Sequence, residues 1–170
     1  MLHKSFFYGS LLLLLSVAAC SGNQVTKSSS QPSAESNLPV AEASTPTVID
    51  LTQVGCQFLE VETQDLQYQP QSAEDCKKIN SETLASRKSG FKPLNLEPGK
   101  YIFRVTNVNV PYELGFYLRG EGIKQVSLPK VSGGGLTEGV TKDYEVELTA
   151  GNYVFSCPLN PTPDYSLVVN

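Results

Sequence analysis

The chain has 170 residues, 13 basic against 17 acidic, and a formal net charge of −4. Nucleic acid demands a basic footprint, so that balance excludes it as a partner, and the charge is too mild and dispersed to mark a polyanionic tail. The one histidine is His3; imidazole chemistry beyond the extreme amino terminus is therefore excluded, Ser–His and Cys–His nucleophile pairs included, and no enzyme is expected.

Lys4 followed by the apolar run Phe6–Ala19, broken only by Gly9, Ser10 and Ser16, reads as an export signal over residues 1–19. The run is shorter than the ~20 apolar residues of a membrane span and ends on small residues. Val17-Ala18-Ala19-Cys20 resembles the lipobox of bacterial lipoproteins. The resemblance implies cleavage before Cys20 and acylation of that residue, a stable anchor because several chains are attached. The mature chain of 151 residues is enough for one domain, with 12 basic and 17 acidic residues. An exported chain can form disulfides. Besides Cys20 there are Cys56, Cys76 and Cys157, enough for one bridge and one leftover thiol. Cys56–Cys76 is the preferred pair as the closest in sequence, although spacing alone leaves the pairing open.

Residues 20–46 are rich in Ser, Thr, Gln, Glu, Asn, Ala and Pro without apolar periodicity, the composition of a disordered tether. The domain is expected over 47–170. Val48–Val54 and Cys56–Val61 read as one bent strand or two. Residues 64–88 lack β character and read as an insertion with one or two short helices, one starting at Ser72-Ala73-Glu74-Asp75, with Cys76 tying it down. Beyond a turn at Glu97-Pro98-Gly99, Tyr101, Phe103 and Val105 alternate with Ile102, Arg104 and Thr106 as a half-buried strand. Tyr112–Leu118 reads as a strand and Val126–Leu128 as an edge strand. Ser132-Gly133-Gly134-Gly135 reads as a flexible turn, since Val140 after Gly139 stands where a phosphate-binding loop needs Lys. Tyr144, Val146 and Leu148 share one face, with Glu145 and Glu147 on the solvated one. Tyr153, Phe155 and Cys157 share another, which points Cys157 inward at the rim of the core. Seven or eight short strands with turns about every ten residues predict an all-β antiparallel sandwich with a short helical insertion.

Three segments, Phe91–Asn107, Pro111–Phe116 and Leu148–Cys157, resemble the cupredoxin family of small copper β-sandwiches, the last through its Leu-x-x-Gly-x-Tyr-x-Phe-x-Cys pattern. The resemblance spans roughly Val48–Asn170 and implies a cupredoxin-like Greek-key fold. Carried over, the copper constellation is degenerate: Tyr112 takes the place of the first histidine, Cys157 that of the thiolate, Asn160 that of the second histidine, and Tyr165 about that of the axial methionine. A blue-copper site needs two imidazoles and a thiolate, so the resemblance implies neither copper nor another cofactor. A single thiol is more often a buried small hydrophobe or half of a disulfide than a reactive group. Glu113, Asp164 and the Glu145/Glu147 pair read as solvated carboxylates.

The expected protein is a lipoprotein of the bacterial cell envelope, held on the inner or outer membrane by acylated Cys20. Its domain is a non-catalytic binding or structural module. The loops around Tyr112 and Pro158–Tyr165 would form an uncharged aromatic end for an envelope partner, stiffened by Pro158, Pro161 and Pro163. Two alternatives are a copper or redox protein using Cys157, and an immunoglobulin-like adhesion domain, which only strand order distinguishes.

Overall fold

Alternation of apolar and polar residues builds two sheets that close on one core. The computed structural model describes residues 45–170; the expected signal over 1–19, Cys20 and the tether as far as residue 44 lie outside the described residues. In chain order come β1 (Thr47–Val54), β2 (Gln57–Phe58), α1 (Leu59–Glu62), α2 (Ala73–Arg87), β3 (Leu94–Leu96), β4 (Gly99–Asn107), β5 (Leu114–Gly120), β6 (Val131–Leu136), β7 (Thr141–Leu148), β8 (Gly151–Ser156) and β9 (Tyr165–Val169). Single 3-10 turns lie at Lys88–Gly90 and Gly122–Val126. One sheet has the order β2-β1-β4-β7 and the other β3-β9-β8-β5-β6.

The expected sandwich is present, but it is not wholly antiparallel. β1 pairs parallel to β4 from Thr47↔Tyr101 to Gln53↔Asn107, and β3 pairs parallel to β9. Parallel neighbours need a long crossover rather than a hairpin. The helical insertion supplies one between β1 and β4, and five intervening strands separate β3 from β9.

Two strand boundaries also differ from expectation. The run from Cys56 stays extended only through Gln57–Phe58; at Leu59 it coils into α1, which ends on Thr63 in the left-handed region (φ 63°). The Glu60 carboxylate accepts the Thr52 N–H at 2.9 Å, folding that turn back onto β1. Val126–Leu128 is no edge strand, because the Gly122–Val126 turn reaches it. The edge is β6, which contains the glycine run read as a flexible turn. Those glycines serve close packing: a Cβ at Gly133 would sit 2.8 Å from the Tyr144 ring, and one at Gly115 2.6 Å from the Gly133 carbonyl. The edge is also blunted, since Lys142 Nζ donates to the Gly134 carbonyl (2.9 Å) and the Tyr144 hydroxyl to that of Gly133 (3.4 Å).

The inward faces are those the alternation assigns. Tyr101, Phe103 and Val105 from β4, Tyr144 and Leu148 from β7, and Tyr153 and Phe155 from β8 are all buried. Phe58 joins the sheets at the centre. Its ring lies edge-on to Phe155 (5.2 Å between centroids), Tyr165 (5.8 Å) and Phe116 (6.3 Å), the arrangement aromatic quadrupoles favour.

Register defines two ends of the sandwich. Thr47, Gly99, Leu148, Gly151 and Gly120 lie at the end where the described chain enters. Val54, Asn107, Leu114 and Ser156 lie at the opposite end, towards Cys157. Because Phe58 bridges both sheets, Phe58→Ala should lower stability by about 3–5 kcal/mol, read as a shifted urea midpoint with unchanged slope. Val48→Ala, at an exposed edge position, should change it by less than about 0.5 kcal/mol.

Candidate functional site

The expected disulfide is formed: Cys56 and Cys76 are bridged across 20 residues of sequence. Cys56 follows Gly55 in the two-residue turn joining β1 to β2 and takes the left-handed conformation there (φ 62°). Gly55 cannot be larger, because a Cβ would meet the Tyr68 carbonyl at 2.3 Å. Cys76 lies in the first turn of α2, which opens on a capping box. Ser72 accepts from Asp75 N–H, and the Asp75 carboxylate accepts from the Gln71 (2.8 Å) and Ser72 (3.0 Å) N–H groups. Those bonds hold the Asp75 carboxyl below its ordinary pKa, the Gln71 bond most, then the Ser72 hydroxyl.

Helix α2 has no apolar face. It docks through residues of one helical stripe: Cys76 in the disulfide, Asn80 donating to the Pro161 carbonyl (2.5 Å), and Arg87 paired with Glu62 (2.5 Å). Arg87 also bonds Asn80, and Glu62 accepts from the Tyr165 hydroxyl and Gln57 (2.9 Å).

Asn160 is the hub of the cysteine end and is fully buried. Its Oδ1 accepts the Cys56 N–H (3.2 Å) and the Tyr112 hydroxyl (3.0 Å), and its Nδ2 donates to the Val54 carbonyl (3.0 Å). The Cys76 sulfur lies 3.0 Å from the same Oδ1; a disulfide sulfur carries no proton, so this is a packing contact rather than a hydrogen bond. The Asn160 N–H and the Gly115 N–H each donate to Cys157 Sγ at 3.2 Å. Burial is the larger influence on that thiol and pushes its pKa up despite the two donors. The Tyr112 hydroxyl is pushed up to about 12, first by burial and then by the neighbouring Cys157 and Asp75. Asn107 holds the loop that carries Tyr112. Its Nδ2 reaches the Val110 (3.1 Å), Leu136 (3.0 Å) and Tyr112 (3.3 Å) carbonyls, and its Oδ1 takes the Val110 N–H (3.1 Å).

Three of the four carried-over positions, Tyr112, Cys157 and Asn160, therefore come together. Tyr165 does not join them. It packs in the core against Phe155 (5.5 Å) and Phe91 (5.1 Å), and its hydroxyl turns to Glu62. β9 begins at Tyr165, so its side chain follows the sheet's inward alternation rather than the loop's. The group does not fit a copper ion. The Asn160 oxygen has both lone pairs occupied, Tyr112 is held as a neutral donor, and Cys157 has no second thiolate or imidazole beside it, because the Cys76 sulfur is spent in the disulfide. Among the described residues no three His, Cys, Asp or Glu side chains gather as a metal site would.

The expected uncharged aromatic patch is also different in kind. Asn160 and Tyr165 are buried; the surface of that loop is Pro158, Leu159 and Asp164. Asp164 is paired with Arg119 at 2.7 Å, while Glu113 accepts the Gly135 N–H (2.6 Å). Glu145 and Glu147 are exposed, as the alternation requires. Beside the loop runs an open groove of about 610 Å³, lined by Gly115, Tyr117, Val131, Gly133, Pro158 and Leu159. Sequence reasoning missed the Glu62–Arg87–Asn80 cluster and the role of Gln53, whose Nε2 donates to the Gly115 carbonyl (2.7 Å). The only available signal was a polar residue at an inward strand position, as at Gln53 and Asn107.

Asn160→Ala should cost roughly 3 kcal/mol, since it leaves a buried carbonyl, N–H and hydroxyl without partners. Tyr112→Phe should cost only about 1 kcal/mol; both are read by urea denaturation with the disulfide intact. The Cys157 thiol should resist a disulfide-exchange reagent at mildly alkaline pH in the native protein and react at once in denaturant. Comparison with known protein families and with curated proteins finds no match to this chain.

Proposed function

We propose that this protein is a lipid-anchored component of the bacterial cell envelope. Its domain is a cupredoxin-like, Greek-key β-sandwich that works without copper as a non-catalytic binding or accessory module. The observation that carries the reading is the engagement of the Asn160 carboxamide by protein groups on both its oxygen and its nitrogen. At the place where the resemblance implies metal ligands, Asn160 is spent on the Val54 carbonyl, the Cys56 N–H and the Tyr112 hydroxyl. Those bonds tie a disulfide, two loops and β1 into a closed plug, with the Cys157 thiol buried beneath it.

What the plug leaves on the surface is the groove beside Pro158 and Leu159. Its walls are apolar and glycine-rich, and Leu159 stands partly exposed at its rim. Prolines at 158, 161 and 163 limit the loop's freedom, which lowers the ordering cost when a partner is bound. Tyr117 on the groove wall is held by the Arg119 guanidinium 4.6 Å above its ring, and rigid aromatics of this kind are enriched at binding hot spots.

Two measurements test the reading. The purified full chain, loaded with copper and dialysed, should retain no stoichiometric ion and show no thiolate-to-copper absorption. A bound ion lost on Cys157→Ser would overturn the copper-free reading in favour of metal handling. A photo-crosslinking residue at Leu159 should capture one envelope partner in the host cell, and the same residue at Lys100, at the entry end, should not. Equal or absent capture at both positions would overturn the binding role.

A further inference from the structure

The turn Gly122–Val126 exposes its apolar side chains almost completely: Ile123 is 89% and Val126 93% accessible. Single exposed aliphatics are ordinary, but these two are three apart on a 3-10 turn, where positions i and i+3 eclipse and point the same way. They form one apolar knob. The turn that carries it is tightly held. The Lys124 N–H donates to the Glu121 carbonyl (3.0 Å), the Ser127 and Leu128 N–H groups to that of Lys124 (3.1 and 3.0 Å), and the Glu121 N–H to Asn152 (2.9 Å). Gly120 lets the turn fold flat on β5, because a Cβ there would sit 2.4 Å from the Lys124 carbonyl. Leu128, the third aliphatic of the stretch, turns the other way and covers Gly151.

The place of the knob in the fold says what it meets. Gly120 pairs with Tyr153, Gly151 with Val169, Gly99 with Leu148 and Thr47 with Tyr101. The knob therefore stands at the end of the sandwich where the described chain enters, opposite Cys157 and the groove. Only 26 residues separate Cys20 from Thr47, and a stretch of that length reaches at most about 90 Å even when fully extended. We infer that Ile123 and Val126 rest on the lipid bilayer that holds the anchor, seating the domain on its entry end with the groove facing away. This rests on the reading of Cys20 as acylated. The contact needs little intrinsic affinity, because the tether raises the local concentration of the domain at the surface to the millimolar range. Exposed charges at this end are mixed, Lys100 and Lys124 with Glu97 and Glu121, so the contact is apolar and should differ little between neutral and anionic lipid.

The test places an environment-sensitive fluorophore at Ile123→Cys, Val126→Cys or Leu159→Cys in the full chain, carried by phosphatidylcholine vesicles with or without phosphatidylglycerol. Cys157 is buried and should stay unlabelled. At positions 123 and 126 the emission should shift to the blue and be quenched by a lipid-borne quencher, in both vesicle types. At 159 it should do neither. A probe on the partner variant Ile123→Ser with Val126→Cys should lose on the order of tenfold in membrane-apposed population. Vesicle flotation of the chain with and without Cys20→Ser reads the anchor independently. If the chain floats through Cys20 while the 123 and 126 probes stay aqueous, the seating is overturned and the anchor stands. If Cys20 proves not to anchor, a polyhistidine at that position on nickel-chelating lipid restores the tether, and aqueous probes there overturn the seating equally.

Discussion

One buried carboxamide holds the cysteine end together. Asn160 spans from β1 through the Val54 carbonyl to the β1–β2 turn through the Cys56 N–H, and on to the loop before β5 through the Tyr112 hydroxyl. Its own N–H reaches the sulfur that ends β8. A leucine of similar size would fill the volume and satisfy none of these groups, and each buried polar group left unpaired costs about 1–3 kcal/mol. An imidazole would fit the chemistry of a metal ligand but could not both accept two bonds at one oxygen and donate to the Val54 carbonyl. The carboxamide that joins these groups is thus what makes the end rigid.

That rigidity explains how a helix with no apolar face stays docked. α2 buries only Cys76 and Asn80, so the hydrophobic effect contributes little to its attachment. A covalent bond at its first turn, a hydrogen bond from the Asn80 carboxamide at mid-length and a charged pair at its last turn replace it. The bridge closes 20 residues, which in the chain-entropy description is worth roughly 3 kcal/mol. The Arg87–Glu62 pair is largely buried, with side-chain exposures of 10% and 3%. Such a pair is weak evidence of net stability, yet removing one partner leaves a charge stranded. The helix is therefore specified in orientation more than it is stabilised.

What the sequence made legible follows from the same contrast. Strands β4 and β7 announced themselves, because alternating burial acts on every residue and leaves a period of two; β8 was legible from Tyr153 and Phe155 although Val154 and Ser156 are buried as well. The start of α2 at Ser72-Ala73-Glu74-Asp75 was legible for a similar reason: it is local. Of the docking of α2 only the disulfide was, as the nearest pair of cysteines; residues 80 and 87 reach partners at 161 and 62, and no local pattern encodes a distant partner. The glycine run at 133–135 misled for a different reason. Composition reports flexibility, whereas here the missing side chains make room for the Tyr144 ring and the Gly115 backbone. Tyr165 misled because counting along a loop says nothing of where the next strand resumes its alternation. At the site, identity of position was readable and identity of role was not.

A sandwich with two dissimilar ends has a direction. At one end the chain enters, the surface charges are mixed, and two aliphatic side chains stand in water on a turn built to hold them there. At the other, the side-chain amides of Asn160 and Asn107 are engaged inward, and the loop over them exposes proline, leucine and a paired aspartate. Two aliphatics held side by side on a rigid turn cost solubility without returning stability, which the proposed seating on lipid would account for. A plug of internally bonded groups, by contrast, presents shape rather than reactive groups. If the chain is anchored as proposed, the end remote from its entry is the one left clear for a partner.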